Sequence, residues 1–164
     1  NGKAFPLAHL HPFRYQIVTG DGRQVEIRVA FAMHCFARGC EPSDHPSQFY
    51  RDKREVRTFC HVRYELSPRL PLIARELATR KCGFAKDDNY VTIDVETGPG
   101  VTGSYGVFFN TMRAKRADGL AVLLTIQSAY ALDTGKRSPM RGSINFTRLV
   151  ELTLDGIKPR PPRN

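Results

Sequence analysis

Apolar and polar positions alternate through the first part of the chain. Phe13, Tyr15 and Ile17 stand between polar neighbours, the period-2 pattern of a half-buried strand over 13–18. Gly20-Asp21-Gly22 follows and predicts a hairpin, because glycine supplies the positive φ such turns need. The return strand alternates longest. Val25, Ile27, Val29, Phe31 and Met33 mark one face, and Glu26, Arg28, Ala30, Ala32 and His34 the other. The small alanines leave room above that second face for a ligand or a covering segment.

From Gly39 to Pro46 the residues are those of a loop. Tyr50 to Tyr64 is dense in charge, and its apolar positions Val56, Phe59, Cys60 and Val62 fit neither period. The next pattern is helical. Leu70, Ile73, Ala74, Leu77 and Ala78 recur at i, i+3 and i+4. Ser67 suits an N-cap, Pro68 a first turn, Arg80 and Lys81 a C-terminal end, and Gly83 a closing residue. This predicts a helix over about 67–82, lying on the apolar face of the 25–33 strand.

The second half reads as strands. Tyr90 to Glu96 alternates, Gly98-Pro99-Gly100 makes a turn, and Tyr105 to Met112 is aromatic and β-prone. Leu120 to Tyr130 is almost wholly apolar, as a central strand should be. Ser143 to Leu154 is the last expected strand region. Together these predict one α+β domain over 1–156, a mainly antiparallel sheet with one helix on one face. A Pro/Arg-rich tail covers 157–164.

Composition narrows the partner. Lys plus Arg is 25 against 16 Asp plus Glu, a net charge of +9. Such an excess attracts polyanions, and nucleic acid, RNA foremost, is the expected partner. An acidic protein is the alternative. No apolar run reaches the roughly 20 residues of a membrane helix, and the opening residues lack the long apolar stretch of a signal peptide. Four cysteines, Cys35, Cys40, Cys60 and Cys82, are too few for a disulfide scaffold and suggest free thiols in a reducing cytoplasm.

Five constellations could carry chemistry. Cys35, Cys40, Cys60-His61 and Cys82 have no close CxxC pair, so small buried thiols are a better reading than zinc ligands. Neither metal nor cofactor is expected. His34 and His61, with Arg28, Arg63 and Tyr130, offer the base, cation and acid of a metal-independent ribonuclease. Asp94, Glu96 and Glu26 could hold magnesium, but read better as solvated strand residues. Ser128 and Tyr130 end the apolar strand on one face. Arg113, Lys115 and Arg116, with Lys136 and Arg137, are candidate phosphate contacts in two turns.

Several runs resemble a family of small bacterial proteins, some of them labelled "stationary phase growth adaptation protein". They are Tyr50-Arg51-Asp52-Lys53-Arg54-Glu55-Val56-Arg57-Thr58-Phe59-Cys60, Arg63-Tyr64-Glu65-Leu66-Ser67 and Leu70-Pro71, then Phe109-Asn110 and Gln127-Ser128-Ala129-Tyr130. The resemblance implies a bacterial origin and no particular reaction. The leading expectation is an RNA-directed protein, a small ribonuclease of the toxin kind. The alternative is a non-catalytic binding module for nucleic acid or an acidic protein.

Overall fold

The computed structural model describes residues 4–85, 89–94, 103–115, 119–132 and 140–161. The strands in chain order are β1 (Phe13–Val18), β2 (Gln24–His34), β3 (Ala37–Arg38), β4 (Phe49–Arg51) and β5 (Val56–Phe59). They continue as β6 (Lys81–Phe84), β7 (Tyr90–Asp94), β8 (Ser104–Arg113), β9 (Ala121–Leu132) and β10 (Ser143–Asn145). The helices are α1 (His61–Leu66), α2 (Leu70–Arg75) and α3 (Phe146–Leu154). A seven-stranded sheet runs β1-β2-β9-β8-β7-β6-β10, and a small one runs β3-β5-β4. Among the described residues only β2 and β9 pair in parallel. The α+β class and the mainly antiparallel sheet agree with the sequence reading.

The 13–34 alternation becomes the β1–β2 hairpin. Phe13 faces Val29, Tyr15 faces Ile27 and Ile17 faces Val25. Facing residues share a side of the sheet, so these six form one apolar surface. Ile27 and Val25 are fully buried in it. Gly22 turns the hairpin at φ +85°. The turn is fastened to α3: Arg23 bridges Asp21 and Asp155, and the Asp21 amide donates to the Glu151 carboxylate.

Helical structure covers this same face. The Tyr15 hydroxyl donates to the Ala74 carbonyl of α2 at 2.6 Å, and Arg75 lies 4.1 Å above the Phe13 ring. Farther along the sheet, Phe109 of β8 meets Phe146 of α3 edge-on. The apolar face of β2 therefore lies on the helix side, as its pattern predicts.

Two boundaries differ from the sequence reading. The helical stretch begins at His61, not Ser67, and runs through 3-10 turns at 67–69 and 76–79. Pro68 and Pro71 tighten it without ending it. The Ser67 hydroxyl therefore donates back to the Tyr64 carbonyl, as a residue inside a helix does, and caps nothing. Lys81 and Gly83 belong to β6, not to the helix end. The second correction is 143–154. Only 143–145 is strand, and 146–154 is α3. Its buried residues Phe146, Leu149, Val150 and Leu154 recur at helical spacing, which a short apolar run hides.

Candidate functional site

The strict alternation of β2 breaks near its end. Register slips between Phe31 and His34 against β9, and between Phe108 and Phe109 against β9. Both irregularities converge on one row, His34 opposite Ser128 and Ser128 opposite Phe108. Bulges of this kind redirect side chains and gather near functional sites.

His34 stands on this row with 29% of its side chain exposed. Its Nε2 lies 2.7 Å from Glu55 Oε1. The other Glu55 oxygen accepts from Arg57 Nε at 2.7 Å. Arg57 first, and then His34, hold the Glu55 carboxyl below the usual carboxylate range. Glu55 lies in the β4–β5 turn, immediately before β5. That turn is closed by Asp52, whose carboxylate accepts the amides of Arg54 and Glu55. Asp52 is thus committed to the backbone, and Arg51, Lys53 and Arg54 present an exposed cationic tip beside the His34–Glu55 pair.

Arg63 reaches inward from α1. Its Nη1 donates to the carbonyls of His34 and Ala37, bracing the corner where β2 ends. Its guanidinium lies 5.1 Å over the Tyr130 ring, and Tyr130 stacks on Phe108 at 5.2 Å and 14°. Gly106 allows this surface to form, because a Cβ there would stand 2.9 Å from Leu132 and 3.1 Å from Phe108.

The sequence candidates therefore divide. His34, Arg63 and Tyr130 come together. Arg28 does not join them: it pairs with Glu26 and lies six residues up β2, roughly 20 Å away at strand rise. His61 is exposed at the start of α1, edge-on to Phe5 and Phe59. Glu55, Arg57 and the hairpin tip were not singled out from sequence. Their one signal was the charge-dense run at 51–57. Glu96, Arg116, Lys136 and Arg137, and the side chain of Asp94, lie outside the described residues.

A family model described as the YjaZ family matches residues 1–154. The chain belongs to the YjaZ family. No curated protein and no solved structure matches it. In this YjaZ-family chain the four cysteines are unpaired, with Cys35 and Cys82 buried. Burial pushes both of those thiols up to about 12. No helix among the described residues is long and apolar enough to cross a membrane. Of the candidate phosphate contacts, Lys115 is exposed, and Arg113 donates to the Leu154 carbonyl at 3.1 Å. Arg113 also lines a cleft of about 670 Å³ at the far end of β8, away from His34.

Proposed function

We propose that this chain acts on RNA, cleaving phosphodiester bonds without a metal, with His34 and Glu55 as its proton-transfer pair. The observation that carries this reading is the His34–Glu55 contact on the same strand row as Phe108, beside the Arg63–Tyr130–Phe108 stack. Two strand spacings separate His34 and Phe108, roughly 10 Å between backbones, which is the scale of one nucleotide.

The chemistry follows from the groups. His34 accepts the proton of a ribose 2′-OH. The oxygen attacks the neighbouring phosphorus, the 2′-O–P bond forms and the P–O5′ bond breaks. The proton passes from His34 to the departing 5′-oxygen, leaving a 2′,3′-cyclic phosphate. Glu55, kept ionised by Arg57, orients the imidazole and stabilises the imidazolium between the two steps. Arg51, Lys53 and Arg54 meet the phosphates, and the Tyr130–Phe108 surface offers a base a ring to stack on. Arg63 is a positioning residue. Unpaired cysteines agree with work in a reducing bacterial cytoplasm. A part in growth adaptation, the label carried by some members of the resembling family, belongs to the same reading.

The test is incubation of the protein with total RNA, with and without EDTA, and mapping of the cut ends. We expect cleavage that persists in EDTA and leaves cyclic phosphate. His34→Ala should lower the rate by about 100-fold or more with RNA affinity kept. An absence of cleavage, cleavage that EDTA abolishes, or full activity in His34→Ala would each overturn the proposal. A second reading, a non-catalytic module for nucleic acid or an acidic protein, is favoured by one feature. Both oxygens of Glu55 already have partners, an arrangement that also serves to fix a hairpin. For such a module His34→Ala would change affinity alone.

A further inference from the structure

The 670 Å³ cleft lies where β6, β7 and β8 end against α3 and the segment after it. It stands apart from the proposed RNA site, since Arg113 pairs with Val122 at one end of β9 and Phe108 with Ser128 toward the other. Its size is that of a small-molecule site, for which about 300–1,000 Å³ is usual.

The lining has a sharp polarity. Among the described residues, Arg113, Arg141 and Lys158 line the cleft, and no Asp or Glu does. Arg113 is held by its bond to the Leu154 carbonyl. The Arg141 backbone is held by its amide bond to Phe84 at 2.8 Å. Apolar surface lies between these cations. Met112 is 58% exposed and Ile157 54%, and both are cleft residues beside Phe84, Tyr90 and Pro159.

The two threonine hydroxyls of the lining have no proton to offer. Thr153 Oγ1 donates to the Leu149 carbonyl, so Thr111 donates to Thr153 in their 2.8 Å contact. With the threonines spent, the charged donors of the described lining are its three cations. A bare inorganic anion would leave Met112 and Ile157 in water, and a neutral apolar molecule would meet none of the charge. Gly156, Ile157, Lys158, Pro159 and Pro161 also lie beyond residue 154, where the family match ends.

We infer that this cleft binds a small organic anion, one carboxylate or phosphate on an apolar body, with Arg113, Arg141 and Lys158 around the charge and Met112 and Ile157 against the body. The site is independent of RNA cleavage at His34.

Calorimetric titration of the full chain tests it. The probes are dodecanoate, adenosine 5′-monophosphate, inorganic phosphate and neutral 1-octanol. At least one organic anion should bind one-to-one, about tenfold or more tighter than phosphate or octanol. Dodecanoate against the nucleotide distinguishes a carboxylate on a chain from a phosphate on a ring. The double variant Arg141→Gln, Lys158→Gln should lose about tenfold in that affinity. If that variant is destabilised, amide shifts on the wild-type protein decide. Changes clustered at 84, 85, 89, 90, 111–113 and 153–161 support the site, and changes confined to strands β1 and β2 overturn it. No preference for the organic anions, or unchanged affinity in a folded double variant, also overturns it.

Discussion

Cys35 and Cys82 behave as small core residues. Neither is accessible, and burial pushes both thiols up to about 12, so almost no thiolate exists near neutral pH. Cys40 is exposed and Cys60 half-buried. A thiol reagent at pH 8 should therefore modify two cysteines quickly in the native protein and all four in denaturant; four fast thiols would contradict the packing. Tyr15 makes the complementary case for a polar atom. Burial raises its pKa, and its hydroxyl serves a carbonyl near the end of α2, where helical acceptors lack backbone partners. Tyr15→Phe keeps the ring and removes the bond. We expect a loss of about 1 kcal/mol in denaturant unfolding, with the rest of the fold unchanged.

Among the elements, the small sheet matters most to the proposed chemistry, because it carries Glu55. It is tied down by Asp44. That carboxylate forks with Arg38 at 2.6 and 2.9 Å and accepts from the Glu41 amide and the Thr58 hydroxyl, each at 2.7 Å. Arg38 first, then the Glu41 amide and Thr58, hold its pKa well below the usual range. A depressed folded pKa stabilises the fold fully above the unfolded carboxylate value of about 4 and is lost as pH falls through the folded one. Asp44→Asn should lower the melting temperature at pH 7, and the gap to wild type should narrow as pH falls below about 4. An equal gap at pH 7 and pH 3 would show that the ionised carboxylate is not the source.

Elements of this kind also mark the limit of what the sequence reveals. β1, β2 and β9 were legible because one buried face or two imposes a plain pattern on a long strand. The α3 segment was not, since Val150, Leu152 and Leu154 suit a strand as readily as a helix. Pro68 looked like a helix start because a 3-10 turn accommodates proline inside a longer helical stretch. His34 was legible as a polar end to an alternating strand. Its partner Glu55 was not, because the contact crosses 21 residues through a hairpin whose strands are only three and four residues long.

For the whole molecule, the charge of +9 is less uniform than the composition suggests. Arg23, Arg28, Arg38, Arg57 and Arg148 are engaged with carboxylates of the fold. A paired guanidinium contributes less to an external field than its formal charge, because its partner cancels it at a distance. The cations that remain to meet a polyanion include the 51–54 hairpin tip and Lys115, and these should set the salt dependence of RNA binding. Each phosphate contact to a single strand adds about 0.7 to the slope of log K against log salt. Substituting Lys53→Gln and Arg54→Gln together should then flatten the slope by about 1.4. Substituting Arg23→Gln should leave the slope unchanged while weakening the clamp between Asp21 and Asp155. Filter binding of single-stranded RNA across a salt series measures both. Equal slopes in wild type and the hairpin variant would place the RNA contacts elsewhere on the surface, and a flattened slope for Arg23→Gln would mean that the ion-paired arginines open to meet the phosphates.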